Sequence, residues 1–143
     1  IYYLAKMLVA GEDPRFIARR LIVVASEDVG NADFRALLVA EAALRAVEHI
    51  GMPEASITLA QATEFVARAR KTNRAIVALN AAMADIKSGL DFLPPIHLRD
   101  AHYKDAKKYG FGKGYVYTHD NPEYKQQFMP DEIKNRKYFK PQN

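Results

Sequence analysis

The segment from Gly110 to Asp120 combines three glycines with a lysine, two tyrosines, a histidine and an aspartate, and reads GFGKGYVYTHD. Glycine beside lysine is typical of phosphate-binding loops, but a Walker A motif needs Ser or Thr after Gly-Lys, and Gly114 stands there. In a dinucleotide fingerprint the third glycine would come one residue later. The spacing therefore favours a turn: Gly110 ends a helix, and Gly112 and Gly114 take positive φ.

The histidines of the same region could bind a divalent metal. A small metal-dependent hydrolase would use His97, His102 and His119 as ligands, with aspartates close by in the sequence. Their spacing matches neither H-E-x-x-H nor a facial triad. Asp100 also fits a simpler role as a helix N-cap. The hydrolase is therefore the least favoured alternative, and the chain itself is expected to hold no catalytic, cofactor or metal site.

Ser26, Glu27 and Asp28 form a polar cluster at the end of a predicted helix. No G-x-S-x-G motif surrounds Ser26, so a serine nucleophile is not indicated. The two carboxylates oppose the helix dipole in the last turn. We expect an arginine or the N-terminus of another helix to compensate them, and a structural role is favoured over a paired-carboxylate site.

Basic and aromatic residues are concentrated in the last third of the chain. Residues 1–96 contain 11 basic and 11 acidic side chains, whereas residues 97–143 contain 10 and 6, together with six of the eight tyrosines. Single-stranded nucleic acids bind sites that combine positive charge with aromatic stacking. The candidate DNA contacts are Lys71, Arg99, Lys104, Lys107, Lys108 and Lys113. The alternative is a solvated surface with aromatics that hold an irregular segment.

The elements that must position these residues are mainly helices. Asp13-Pro14 predicts a helix start, with a run that ends before Gly30. Further helices are expected at 34–50, at 54–70 and from Thr72 or Asn73 to about Gly89. After Leu90, the prolines at 94 and 95 interrupt the pattern, and short helices are expected at 100–109 and 130–138. The prediction is an all-α, antiparallel helical bundle over 1–90, followed by an irregular C-terminal segment over 91–143 packed on it.

Two of these helices, those expected at 34–50 and 54–70, are apolar over more than one face. A helix buried on both sides is either central in a monomeric bundle or part of a subunit interface, and the pattern alone leaves both open. The candidate interface residues are Phe34, Leu38, Ala40, Ala43, Val47, Leu59, Phe65 and Val66.

Composition excludes several classes of protein. The 143 residues include no cysteine, so disulfides and cysteine-ligated zinc are excluded. No apolar run reaches the length of a membrane span, and no signal peptide is recognisable, so a cytoplasmic protein with no membrane partner is expected. The first residues already follow helical spacing without an N-cap, which favours a fragment of a longer protein.

Five stretches together resemble one family. They are ASEDVG (25–30), RKTNRA (70–75), PPIHLRDA (94–101), YGFGKGYVYTHD (109–120) and FMPDEIKNRKYFKP (128–141). In this order they resemble the C-terminal domain of the replication-associated recombination protein A (RarA/MgsA) AAA+ ATPases, which are relatives of Werner-helicase-interacting protein. The family motif residues are Ser26, Glu27, Asp28, Gly30, Gly110, Gly112, Gly114, His119 and Asp120.

The resemblance implies a helical, clamp-loader-collar-like domain that holds subunits together as a tetramer. An upstream AAA+ motor, absent from this chain, would bind ATP and Mg. The whole protein would be a DNA-dependent ATPase in replication-fork maintenance, recombination and repair, associated with single-strand-binding protein and with the nucleoid in the cytoplasm. The expected function is therefore oligomerisation, and the alternative is a helical module that contacts single-stranded DNA.

Overall fold

A computed structural model describes residues 1–140, apart from the side chain of Lys107. Their regular elements are all helical, and no strand occurs within this part of the chain. The α-helices are α1 (Tyr2–Val9), α2 (Pro14–Val24), α3 (Arg35–His49), α4 (Ala55–Arg68) and α5 (Arg74–Lys87). The prediction of an all-α helical fold is confirmed. None of the helices in residues 1–140 is long and apolar enough to cross a membrane.

The start of α2 follows from its first residues. The side chain of Asp13 accepts a hydrogen bond from the backbone N–H of Arg15 (2.9 Å), and Pro14 occupies the first turn. Pro14 has no N–H to leave unsatisfied there, so the pair is a favourable helix start, as expected.

The end of α2 changes its winding. Ala25–Val29 forms one π-helical turn, and the N–H of Gly30 bonds to the carbonyl of Ala25. Gly30 then reverses the chain direction with φ of +50°. The polar cluster of Ser26, Glu27 and Asp28 therefore lies on a π turn, an element that is rare and often functional in helices.

Helices α1 to α4 build the core of a first compact unit, Ile1–Asn80, which also includes Phe139 and Lys140. Helices α2, α3 and α4 contact one another. Small side chains dominate the buried positions: Ala18, Ala36, Ala40, Ala55 and Ala62 are fully buried. Alanine lets helix backbones approach closely, and Leu59 and Val29 supply the largest fully buried side chains.

The second compact unit is Ala81–Tyr138. Its chain is irregular, with three short 3₁₀ turns at Ile96–Leu98, Ala106–Tyr109 and Asp131–Ile133. The predicted helices at 100–109 and 130–138 were therefore wrong in extent. Asp100 does not cap a helix: its carboxylate accepts a hydrogen bond from the N–H of His102 (2.9 Å) in a local turn. Such side-chain bonds offer the backbone an alternative to the helix.

The division between the units falls at Asn80, inside α5, whereas the change of sequence character lies near residue 90. The second half of α5 belongs with the following segment because Asp85 binds the end of that segment. Its carboxylate accepts a hydrogen bond from the Tyr138 hydroxyl (3.0 Å) and lies 3.3 Å from Nε of Arg136. Burial is the main cause that raises the pKa of the Tyr138 hydroxyl, and its hydrogen bond to Asp85 raises it further.

Candidate functional site

The candidate interface residues separate into two groups by burial. Five of them lie inside the first unit of a single chain and pack in its core: Ala40, Ala43, Val47, Leu59 and Val66. Phe65 is half-buried beside that core. Phe34 and Leu38, at the start of α3, remain exposed. The five core residues cannot meet a second chain without rearrangement of the core, whereas Phe34 and Leu38 can.

Helix α5 carries an apolar stripe that the sequence analysis missed. Ile76, Leu79, Met83 and Ile86 recur at spacings of three and four residues and so share one face. Leu79, Met83 and Ile86 are 55%, 43% and 54% exposed, and the helix contains no buried residue. The spacing was visible in the sequence, but its exposure was not, because burial depends on which helices pack against it.

A second apolar surface lies in the first unit. A groove of 270 Å³ is lined by side chains of α1, α2 and α4, among them Tyr3, Met7, Phe16 and Leu21. Its lining is mostly apolar, with Arg20 and Thr63 as its polar members.

Lys71, a candidate DNA contact, has a structural role. Its ammonium donates hydrogen bonds to the carbonyls of Val66 (2.7 Å) and Ala69 (2.6 Å) at the end of α4. A cation at this position satisfies free carbonyls and complements the helix dipole. Lys71 therefore caps α4.

Arg99 is also engaged within the chain. Its Nε donates to the carbonyl of Pro94 (2.8 Å), and its guanidinium lies 5.4 Å from the centre of the Phe111 ring. The side chain remains half-exposed, so it is oriented by these contacts and keeps part of its surface towards solvent.

The remaining candidate lysines belong to the second unit. Lys104, Lys108 and Lys113 are exposed, and Lys108 forms an ion pair with Asp105 (2.8 Å). The predicted contact Lys107 falls outside the described side chains. Among the described ion pairs of the chain, none involves Lys104 or Lys113.

Three aromatic side chains, not among the predicted site residues, lie beside these lysines. The Phe111 ring centre is 6.1 Å from that of Tyr103 and 5.8 Å from that of Tyr109. Tyr103 is 49% exposed and Tyr109 is 63% exposed, whereas Phe111 is half-buried between them. We call Tyr103, Tyr109 and Phe111 the aromatic cluster.

The glycines around Phe111 shape this region. Gly110, Gly112 and Gly114 all have positive φ, as their spacing predicts. A Cβ on Gly112 would lie 2.8 Å from Cβ of Ala101, and its N–H donates to the carbonyl of Ile96 (3.1 Å). The glycine loop is thus held against residues 96–101. It is a turn that sets the position of Phe111 and Lys113.

His119 and Asp120 follow in a turn, and both are exposed. The His119 ring lies 5.2 Å from the ring of Tyr117. The Asp120 N–H donates to the Tyr117 carbonyl (3.1 Å). These contacts are those of a local turn.

The histidines expected for a hydrolase have other partners. His97 Nε2 lies 2.9 Å from the carbonyl of Gln127, and His102 Nδ1 lies 2.7 Å from a carboxylate oxygen of Asp100. The hydrogen bond from the backbone N–H of His102 is the main cause that lowers the pKa of the Asp100 carboxyl, and the bond to the His102 ring lowers it further. Across the described residues, no group of three or more His, Asp or Glu side chains is placed to hold a metal ion.

Two distant family motifs meet at the end of α2. The N–H of Thr72 donates to the carbonyl of Asp28 (2.7 Å), and a Cβ on Gly30 would lie 2.7 Å from the carbonyl oxygen of Thr72. The segment leading into α5 thus contacts the π turn. Ser26, Glu27 and Asp28 keep exposed side chains there.

Asp33 and Arg35 form an ion pair at the start of α3. Two side-chain hydrogen bonds of 2.8 and 2.7 Å join them, and the bonds from Arg35 lower the pKa of Asp33. The guanidinium also lies 5.7 Å from the Phe65 ring centre. The pair holds the entry to α3 against α4.

Comparisons with known proteins agree over the full chain. The family model for the C-terminal region of MgsA AAA+ ATPases matches residues 1–143. An AAA domain-containing protein of Mycobacterium tuberculosis is 54% identical over 99% of this chain and 32% of its own length. The Replication-associated recombination protein A of Bacillus subtilis is 44% identical, over 99% of this chain and 34% of its own. The Replication-associated recombination protein A of Escherichia coli is 40% identical, over 100% of this chain and 33% of its own length.

The chain spans about a third of the length of these relatives. The match covers all five stretches that carried the resemblance in the sequence. The chain therefore belongs to the MgsA AAA+ ATPase C-terminal family.

Proposed function

We propose that this chain is the oligomerisation domain of an AAA+ ATPase and assembles as a homotetramer. The exposed apolar stripe of α5 carries the proposal. A helix with one apolar face normally buries it, and in this helix Leu79, Met83 and Ile86 remain exposed in the single chain.

A second copy of the chain suits this stripe. It contains no charged side chain, and fully buried interface centres are depleted in charge. A stripe on one helix can pack against its own copy around a two-fold axis, which gives a self-complementary contact. Two copies of α5 can pack directly against each other, so the contact needs no other helix or loop.

A tetramer built on two-fold axes needs a second contact of this kind. Phe34 and Leu38, exposed at the start of α3, are its candidates. Of the residues predicted for the interface, these two retain that role in the proposal, and the buried five stabilise the fold of each subunit.

Membership of the family supports a proposal for the function of the whole protein. We propose that an upstream AAA+ motor binds ATP and Mg, and that the whole protein acts as a DNA-dependent ATPase in replication and recombination. The names and lengths of the relatives support this. Single-strand-binding protein is the proposed partner, and the nucleoid in the cytoplasm is the proposed location.

Assembly would contribute to DNA binding by fixing the spacing of the motors. Several motors held at fixed spacing engage one DNA together, so each additional contact is intramolecular and raises the overall affinity without new chemistry.

The experiment compares two double variants of α5 by sedimentation equilibrium. Leu79→Glu with Met83→Glu places two charges on the stripe and should raise the dissociation constant at least 100-fold, because charges would be buried in the interface. Ala81→Glu with Ala84→Glu adds the same charges at exposed positions of the same helix and should leave association unchanged. Glutamate is a good helix former, so both variants keep the helix.

Equal association of the two double variants would contradict a role for the stripe. Weakening by both to the same extent would assign the effect to net charge and would contradict it as well. Circular dichroism and thermal unfolding establish that both variants are folded.

A further inference from the structure

We propose that the aromatic cluster and the basic side chains around it form a binding site for single-stranded DNA, with Tyr103 and Tyr109 stacking on two bases. The proposal goes beyond self-association, because each chain carries the site within its second unit.

Charge is the first observation. Residues 99–113 contain five basic and two acidic side chains. One of the acids, Asp105, pairs with Lys108. The other, Asp100, accepts its bonds from His102. Within the described ion pairs Lys104 and Lys113 have no acidic partner, so both remain available for phosphates.

Exposed aromatic side chains are the second observation. A solvated basic surface does not need aromatic side chains, yet Tyr103 and Tyr109 are half or more exposed beside these lysines. Bases of a duplex are already stacked on each other, whereas bases of a single strand are free to stack on protein rings. The combination favours single-stranded over double-stranded nucleic acid.

Rigid support is the third observation. Phe111 contacts both tyrosines, and Arg99 lies over its ring while bonded to the carbonyl of Pro94. The positive φ of Gly110 and Gly112 on either side of Phe111 fixes the direction of the loop. Aromatic rings that are already fixed by such contacts before the ligand arrives lose little conformational freedom on binding.

The partner that competes with this interpretation is an acidic protein segment. Such a segment would need the lysines and would gain little from two exposed tyrosines. The aromatic residues therefore decide between the two partners, and the experiment is built on them.

The test measures fluorescence anisotropy of a labelled oligothymidylate of about 20 nucleotides with the 143-residue chain. Wild type should bind, and the affinity should fall steeply with salt. Tyr103→Leu with Tyr109→Leu should weaken binding about 30-fold or more, since each of the two lost base stacks is worth about fivefold at the least. Tyr117→Leu with Tyr124→Leu removes two equally exposed tyrosines outside the aromatic cluster and should change affinity less than twofold.

A further double variant covers the case in which the cluster variant does not fold. Lys104→Gln with Lys113→Gln changes only exposed side chains and should lower the slope of log affinity against log salt concentration by about 1.4, or 0.7 for each lost phosphate contact.

Three results would overturn the proposal. They are no binding of oligothymidylate by wild type, equal affinity of the cluster variant and its tyrosine control, and equal competition by polyglutamate of matched charge. The measurement does not depend on assembly: a monomeric chain that binds oligothymidylate would contradict the proposed tetramer and support this site.

Discussion

At the scale of single residues, the motif glycines are fixed by backbone geometry. Gly30 combines positive φ with a close approach to Thr72, whereas Gly11 has positive φ of +83° and nothing within 4 Å of an added Cβ. Gly30 also has a ψ of −137°, a backbone region that glycine alone adopts readily, so backbone strain and the contact with Thr72 both add to the cost of a side chain there.

We predict that Gly30→Ala lowers the free energy of unfolding by about 3 kcal/mol, and Gly11→Ala by about 1 kcal/mol. In both variants alanine is strained at a positive φ that glycine adopts without steric cost. Only Gly30→Ala also forces the Thr72 carbonyl away and weakens the bond from the Thr72 N–H to Asp28. Urea denaturation measures both losses, and equal losses would contradict the added cost at Gly30.

Residue types alone predicted the glycine conformations and the Asp13 cap, since both depend on neighbours in the sequence. They did not predict which lysines are free. Lys71 counted as a DNA contact because its charge is visible in the sequence. Its bonds to the end of α4 depend on where that helix stops and how the next turn folds back.

At the scale of elements, the end of α4 is held by one side chain. Lys71 satisfies the carbonyls of Val66 and Ala69, whereas Arg70, its exposed neighbour, has no described side-chain bond. The two positions carry equal charge and differ in their contacts.

We predict that Lys71→Met lowers the free energy of unfolding by about 1 kcal/mol, the usual worth of a capping interaction at a helix terminus. Arg70→Met should leave it nearly unchanged. Chemical denaturation gives the stability, and oligothymidylate binding should be the same for both variants. A larger loss of DNA affinity in Lys71→Met, without a loss of stability, would refute the cap.

The helices of residues 1–90 could be predicted because apolar spacing, caps and glycines agree there. The helices expected at 100–109 and 130–138 are only short 3₁₀ turns at Ala106–Tyr109 and Asp131–Ile133. In the first of these segments Asp100 accepts a bond from the N–H of His102 in a local turn instead of capping a helix. The broad apolar faces of α3 and α4 were interpreted as possible interface. Five of their alanines, among them Ala40 and Ala43, are buried in the core of a single chain, and the exposed stripe lies on α5.

At the scale of the whole molecule, the chain carries two different candidate surfaces, the apolar stripe along α5 and the aromatic cluster of the second unit. The apolar stripe of α5 suits a second copy of the chain, and the aromatic cluster suits a single strand of DNA. The family could be identified from the sequence, because five motifs occur in order along the chain. No pattern in the sequence specifies which surface meets which partner, since that depends on exposure.

The mass of the chain in solution distinguishes an oligomerisation domain from a monomeric one. Multi-angle light scattering during size-exclusion chromatography at high micromolar concentration should give four times the 16.1 kDa of a single chain. The wild-type chain should keep that mass on dilution until the dissociation constant is reached. A single species of 16.1 kDa at the highest concentration would contradict the account of this domain as an oligomerisation module.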